Sequence, residues 1–401
     1  MHRVRGILTR APRPSPRLLR VLVPTGVAAL LIGFDGSVSI LALPAIATDF
    51  RAPTATLTEL GSVLSLGSLI GLPLAMQADR LGRRRLLLVG VAGASGAGLA
   101  SAAATGLTWL GLARLAAVAF ETAAASAAAA LVVEEVPAGQ RGRAVSILTL
   151  AGGAGVGLAT LLYPLLAPNW RPLYAAAGAG LVAVPLLARH LPESRAWAGA
   201  GRSPAPLSLL ARPPWRRRLL LLAASTGLSS FLFQPAGLLV ALFGSRDLGL
   251  SPALISTVVV VSGLASVPAF SAGGALSDRF GRRLPSVTFG AGAALGAGAT
   301  FLGGPPAYWA GNVLWSLFAS AGAPVLATWL GELFPTRARA TAETVGSVAG
   351  ALGGTCGFQL VRLLQPALGL GPALATAGLA ALAGTALLLL LPETRGEPLR
   401  D

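Results

Sequence analysis

The 401-residue sequence has no lysine, one cysteine and two histidines, and only 11% of its residues are charged, against about 25% in an ordinary soluble domain. Without lysine, all 31 basic residues are arginine. The single Cys356 excludes an intrachain disulfide, and His2 and His190 are too few to build a metal cluster. No H-E-x-x-H, G-x-S-x-G or complete G-x-G-x-x-G occurs, so the sequence offers none of the usual catalytic signatures, and no enzyme, cofactor or metal is expected. The shortage of charge excludes an ordinary cytosolic protein. What is abundant is apolar surface, 54% of the chain, beside a net charge of +16. A basic surplus of that size fits a nucleic-acid protein or a membrane protein with one basic face, and its distribution decides between them.

A membrane helix needs about 20 apolar residues. Apolar runs bounded by charge or by Pro/Gly turns predict spans at 20–44, 55–77, 86–105, 109–133, 144–166 and 172–191 in the first half. The second half repeats the pattern at 219–243, 252–276, 284–304, 306–331, 341–365 and 370–391. The expectation is an all-α membrane protein of twelve transmembrane helices. A basic tail (1–19) leads into a six-helix bundle (20–191), a linker (192–218), a second bundle (219–391) and a short tail (392–401). Six arginines precede the first run and raise the question of a secretory signal. The run is too long for the apolar region of such a signal and holds Asp35 at its middle, so it reads as a retained helix.

The arginines sort by face. The N-terminal tail, the loops from even to odd spans and the C-terminal tail hold 26 of them, counting Arg20 and Arg189 at the adjoining span ends, and the opposite face holds Arg51, Arg171 and Arg246. This is the positive-inside pattern, which places both termini in the cytoplasm. It predicts a multi-pass protein of the cytoplasmic membrane and explains the surplus without nucleic acid. The two faces are called arginine-rich and arginine-poor below.

Three charged motifs recur across the linker at nearly one offset. Asp79-Arg80-Leu81-Gly82-Arg83-Arg84 returns 199 residues later as Asp278-Arg279-Phe280-Gly281-Arg282-Arg283. Glu134-x-x-Pro137-x-x-x-Arg141 returns after 198 as Glu332-x-x-Pro335-x-x-x-Arg339, and Leu191-Pro192-Glu193-Ser194-Arg195 after 200 as Leu391-Pro392-Glu393-Thr394-Arg395. The chain is therefore expected to be two six-helix repeats in parallel orientation.

These motifs resemble those of major facilitator superfamily (MFS) transporters, and the resemblance covers essentially the whole chain. The family signature G-x-x-x-D-R-x-G-R-R fits Gly274 to Arg283 throughout, and Ala75 replaces the leading glycine of the first copy. The Glu-x-x-Pro and Pro-Glu motifs are similar to those of the sugar-porter branch and its organic-ion relatives. The resemblance implies two pseudo-symmetric bundles, a small-molecule substrate, alternating access and protons as the coupling partner, in a unit that works as a monomer in the lipid bilayer. Physically, Asp79 is expected to sit at the N-terminus of a helix opening near Thr341, and Asp278 at one opening near Ala144. Gly82 allows the turn, while Arg80, Arg83 and Arg84 can reach Glu134, Glu193 or lipid phosphate.

A charge at mid-membrane costs on the order of 3 kcal/mol, so Asp35 in the first span is a site candidate by default. Arg114 lies in the fourth span, and in proton symporters of the resembling branch an acid of helix 1 pairs with an arginine of helix 4. The implied roles are proton carrier for Asp35 and modulator for Arg114. Glu121 follows Arg114 by two helical turns on the same face. Three roles fit it: binding a cationic substrate group, holding a second proton, or neutralising Arg114. Glu59 reads as a solvated helix end.

In the second half Gln234, Asn312 and Trp315 are the candidate substrate-cavity residues, and Asn312 is placed by pseudo-symmetry opposite Arg114. Gly346, Gly350 and Gly354, and in the fifth span Gly153 and Gly157, predict close and mobile helix contacts. Cys356 is expected to pack among the neighbouring glycines. The fifth span lacks the Gly-Pro motif of drug/proton antiporters, and the seventh lacks the paired glutamines of sugar porters. Proton-coupled uptake of a small organic solute and efflux of an amphipathic or cationic compound both remain open, as does a non-transporting sensor with the same fold.

Overall fold

The computed structural model describes residues 16–136, 141–195, 207–335 and 338–395. The side chains of Asp79 and Arg141 lie outside that description, so the contact expected for Asp79 and the role of Arg141 are not addressed by it. Among the described residues the chain is helical, without strands.

In the first half the long helices are α1 (Pro16–Leu41), α2 (Thr54–Met76), α3 (Arg83–Ala102), α4 (Leu107–Glu135) and α5 (Arg141–Leu166). α6 (Arg171–His190) is interrupted at Gly178. The second half contains α7 (Trp215–Arg246), α8 (Pro252–Phe280), α9 (Arg283–Leu302), α10 (Pro305–Leu333), α11 (Arg339–Leu368) and α12 (Leu370–Leu387). Helix starts follow local chemistry. Ser251 caps α8 by accepting the Leu254 N–H at 3.3 Å, and Pro252 follows it in the first turn, where its missing N–H costs nothing.

Ten of these helices are long and apolar enough to cross a membrane. α9 and α11 stand where the sequence predicts spans, but four glycines in α9, and five glycines with Glu343 and Arg362 in α11, lower their apolarity.

The same pairings occur in both halves. α1 packs along α5 as α7 packs along α11, and α4 lies against α2 and α3 as α10 lies against α8 and α9. Small residues make the first pairing close, on α5 at positions shifted from those expected. On α5 the contact is made by Gly152 and Gly155, which meet Gly33 and the Leu30 carbonyl of α1, while Gly153 and Gly157 face open space. On α11 the expected Gly350 and Gly354 face α7, at Thr226 with Ser230 and at Gln234, and Gly353 and Gly357 rest on the Gly227 and Phe231 carbonyls. Cys356 is exposed rather than packed, since the glycine face of α11 is turned toward α7 and away from it.

Buried apolar side chains sort into three clusters. The largest draws from both halves at the arginine-poor ends of the helices, from Leu43 and Trp170 to Phe243 and Tyr308. At the arginine-rich ends each half has its own smaller cluster, one around Leu87 and Leu131 and the other around Trp329 and Leu333. The halves thus share a core on the arginine-poor side.

Candidate functional site

Gly33 brings α1 close to α5, and two residues later Asp35 points across to α4. There Arg114 Nη1 donates to both Asp35 oxygens, at 3.0 and 2.9 Å. Its Nη2 faces Glu121 Oε1 at 3.5 Å. Arg114 is 1% exposed and Asp35 4%, and the Arg114 guanidinium lies over the Tyr174 ring of α6 at 5.2 Å. The sequence candidates Asp35, Arg114 and Glu121 are therefore brought into one contact. Tyr174 was missed; its signal was only that it is one of three tyrosines in an aromatic-poor chain.

A guanidinium buried to this degree is tolerable only when paired, because desolvation costs several kcal/mol per ion. Two carboxylates against one cation leave a surplus negative charge when both are ionised. A proton, or a cation from outside, removes that surplus, which is the chemistry a coupled carrier uses. Glu121 is the most accessible member, its side chain 12% exposed against 5% for Asp35 and 2% for Arg114.

The second-half candidates do not converge in the same way. Asn312 is buried and its amide donates to the Tyr308 carbonyl one turn back, at 2.9 Å, so this donor is spent on its own helix. Trp315 is half-buried and stacks on Phe233, with ring centroids 6.0 Å apart and 19° between planes. Gln234 lies between helices: it accepts from Ser65 of α2 and donates to the Gly350 carbonyl of α11 at 3.0 Å, and Gly354 leaves room for its amide. Glu59, read as a solvated helix end, is half exposed and pairs with Arg362 at 2.6 Å.

The repeated loop motifs form matching clusters. Gly82 and Gly281 have φ of +92° and +91°, a left-handed conformation that glycine adopts without a steric penalty. Each turn is closed by a glutamate of the Pro-Glu motif. Glu193 accepts the Arg84 N–H at 3.0 Å, and Glu393 accepts those of Arg282 at 2.8 Å and Arg283 at 3.0 Å. Burial alone would push the Glu393 carboxyl up, but the N–H donors of Arg282, Arg283, Arg395 and Thr394 hold it below the usual range.

Arg83 pairs with Glu134, and Arg282 with Glu332, each at 3.1 Å. The Arg84 guanidinium donates to the Leu191 and Ala188 carbonyls at 2.8 and 2.6 Å. Arg80 is exposed, Arg279 stacks on Phe280, and Arg339 donates to the Phe334 carbonyl at 3.3 Å.

Asp278 pairs with Arg282 of its own loop at 2.8 Å, with a side chain 78% exposed.

A sequence profile described as Major Facilitator Superfamily matches residues 25–245 and 219–401. The chain is 34% identical over 221 residues to the 3-(3-hydroxy-phenyl)propionate transporter of Escherichia coli, a match covering 53% of this chain and 54% of that protein. It is 34% identical over 209 residues to the puromycin resistance protein pur8 of Streptomyces alboniger, covering 49% and 40%. A gallate transporter of Pseudomonas putida is 32% identical over 189 residues, covering 46% and 42%. The match thus spans about half or less of each curated relative. Among solved structures, a D-xylose-proton symporter superposes with a TM-score of 0.76 at 18% identity, covering 95% of this chain and 99% of that one. A bacterial homologue of the human lysosomal transporter Spinster gives 0.75 at 19%, covering 94% and 95%. Likeness at this identity is likeness of fold.

Proposed function

Because the chain belongs to the Major Facilitator Superfamily, we propose that it carries a small organic solute across the cytoplasmic membrane by alternating access, coupled to proton movement at Asp35, Arg114 and Glu121. In this reading twelve helices, α9 and α11 among them, span the bilayer as two six-helix bundles (20–191 and 219–391) joined by the 192–218 linker. Both termini lie on the cytoplasmic, arginine-rich side.

The observation that carries the proposal is one buried guanidinium held between two carboxylates in the membrane interior. Such a group is expensive to keep and changes charge state by one proton. The loop clusters around Gly82 and Gly281 are the elements on the arginine-rich side that each half moves as a unit. Support for an organic solute comes from relatives named as transporters of hydroxyphenylpropionate and gallate, and support for proton coupling from a structural neighbour named as a proton symporter.

The test is solute-induced proton flux in vesicles with an imposed pH gradient, across aromatic acids, sugars and cationic drugs. Asp35→Asn should abolish the proton-driven accumulation while leaving downhill exchange. Accumulation that survives this change at the wild-type level sinks the coupling assignment. A second reading, proton-driven efflux of a cationic compound, is favoured by the surplus carboxylate at Glu121 and by relatives named for puromycin resistance and multidrug efflux. The sign of the flux separates the two directions.

A further inference from the structure

The two halves are tied together along one seam by residues that neither the repeat motifs nor the buried triad uses. Glu59, Ser62 and Ser65 lie on α2 at intervals of three, so they present one face. At the arginine-poor rim the Arg362 Nη1 of α11 donates to Glu59 at 2.6 Å, the two side chains being 40% and 51% exposed. The same guanidinium donates from Nε to Gln359 Oε1 at 3.0 Å, and Gln359 Nε2 donates to Ser62 Oγ at 2.8 Å. One turn deeper Ser65 donates to Gln234 of α7. Ser62 and Ser65 are buried and Gln234 is half-buried, so the ladder runs from a wetted ion pair at the rim to a more enclosed hydrogen bond one turn deeper. Gly61, between the rungs, lies flat against the Phe358 ring, where any Cβ would collide. The shared apolar core is at this same end of the molecule, whereas the arginine-rich ends have separate cores.

We propose that Glu59, Ser62 and Ser65 with Arg362, Gln359 and Gln234 form the latch that closes the arginine-poor mouth, and that it must part each time that mouth opens. The proposal rests on the alternating-access reading above. The rungs are weak one by one, which suits a contact broken in every cycle: a half-exposed ion pair biases a two-state equilibrium by about fivefold at most. Gln234 is then a positioning residue. Its amide belongs at once to the latch, through Ser65, and to the α7–α11 contact, through the Gly350 carbonyl, so movement of α7 against α11 pulls directly on the seam.

The test uses the full chain with Cys356→Ala and spin labels at Ala55→Cys and Ala367→Cys, two exposed positions at the arginine-poor ends of α2 and α11. Double electron–electron resonance in lipid nanodiscs then reads the distance across the mouth. Glu59→Gln and Arg362→Gln should each raise the ratio of the long-distance to the short-distance population by about threefold to fivefold. The charge swap Glu59→Arg with Arg362→Glu should bring it back toward the starting value. Gln234→Leu should raise the ratio without touching the rim. Unchanged distributions in the neutralised variants, or a swap that opens the mouth as much as either single change, overturn the proposal. Circular dichroism melting of each variant identifies one that has merely failed to fold, and the swap and Gln234→Leu keep the test decisive in that event. The distances report opening whether or not a solute or proton moves, so a failure here is distinct from a failure of the transport reading.

Discussion

Arg114 holds Asp35 through a single nitrogen, Nη1, which donates to both carboxylate oxygens at 3.0 and 2.9 Å, and so leaves Nη2 turned toward Glu121 at 3.5 Å. The geometry is a bifurcated bond rather than the parallel two-nitrogen fork that Arg–carboxylate pairs often adopt. One guanidinium therefore serves two acids on different helices, with the stronger hold on the more buried one. The two carboxylates are expected to behave differently when altered.

Removing the cation is the severest change. Arg114→Gln leaves Asp35 and Glu121 near each other in a buried site without a positive charge, and breaking a buried pair in this way costs about 3–5 kcal/mol. The melting temperature in detergent should fall by many degrees, and by less in Arg114→Gln with Asp35→Asn, where one stranded charge is also gone. A melting temperature unaffected by Arg114→Gln would mean that the pair does not hold α1 to α4.

Glu121→Gln should be mild for stability and strong for coupling. It removes the weaker of the two contacts and the surplus negative charge together, so stability is expected to change by about 1 kcal/mol or less. The need for a compensating proton goes with the charge. The pH profile of solute movement should flatten relative to wild type in vesicles clamped at a series of external pH values. A profile of unchanged shape would place the titrating proton elsewhere.

Acid should loosen the arginine-poor loops. The Asp49 carboxyl is held below the usual carboxylate range by hydrogen bonds first from Arg171 and then from Trp170, at 2.7 and 3.0 Å. A depressed carboxyl stabilises the fold at pH above its unfolded value, about 3.9, and that stability is lost as pH falls through the lower folded value. Melting temperatures measured from pH 6 down to pH 3 should therefore drop at the acid end. Arg171→Gln should shrink that drop, and an acid limb of the same size in the variant would speak against the assignment.

The turn at Gly281 is expected to reject even one carbon. Its φ of +91° is strained for any L-residue, and a Cβ there would press on the Glu393 carboxylate. Gly281→Ala should cost about 1–2 kcal/mol, read as thermal stability. Gly298→Ala, in α9 where a Cβ meets nothing within 4 Å, should cost nothing or stabilise the helix slightly. Equal losses in the two variants would show that the turn conformation is not what demands glycine.

The repeat was legible because its motifs are local: charge, glycine and proline at fixed spacing along the chain. Spacing left Glu134, Glu193 or lipid phosphate open to Arg83, and the fold pairs it with Glu134, as it pairs Arg282 with Glu332 in the second half. Whether Asp278 meets a helix end of the other half is not legible from spacing, because it depends on how far apart the two halves stand. Glu59 and Arg362 are 303 residues apart, and no local pattern joins them. The α5 glycine contacts fall one or two residues from those expected for the same kind of reason, since which face of a helix meets its neighbour is set by the neighbour.

The sequence by itself determined where the apolar helices fall, that the two halves repeat, and that Asp35, Arg114 and Glu121 are too costly in an apolar chain to be incidental. These follow from transfer energies and periodicity, which act residue by residue. Tertiary structure alone decided that the three acid and base groups share one contact, that Gln234 and Glu59 belong to a seam between the halves, and that Asn312 turns back on its own helix. Those outcomes depend on which helices lie side by side, and one-dimensional spacing does not encode the distance between helices that meet only in the folded bundle.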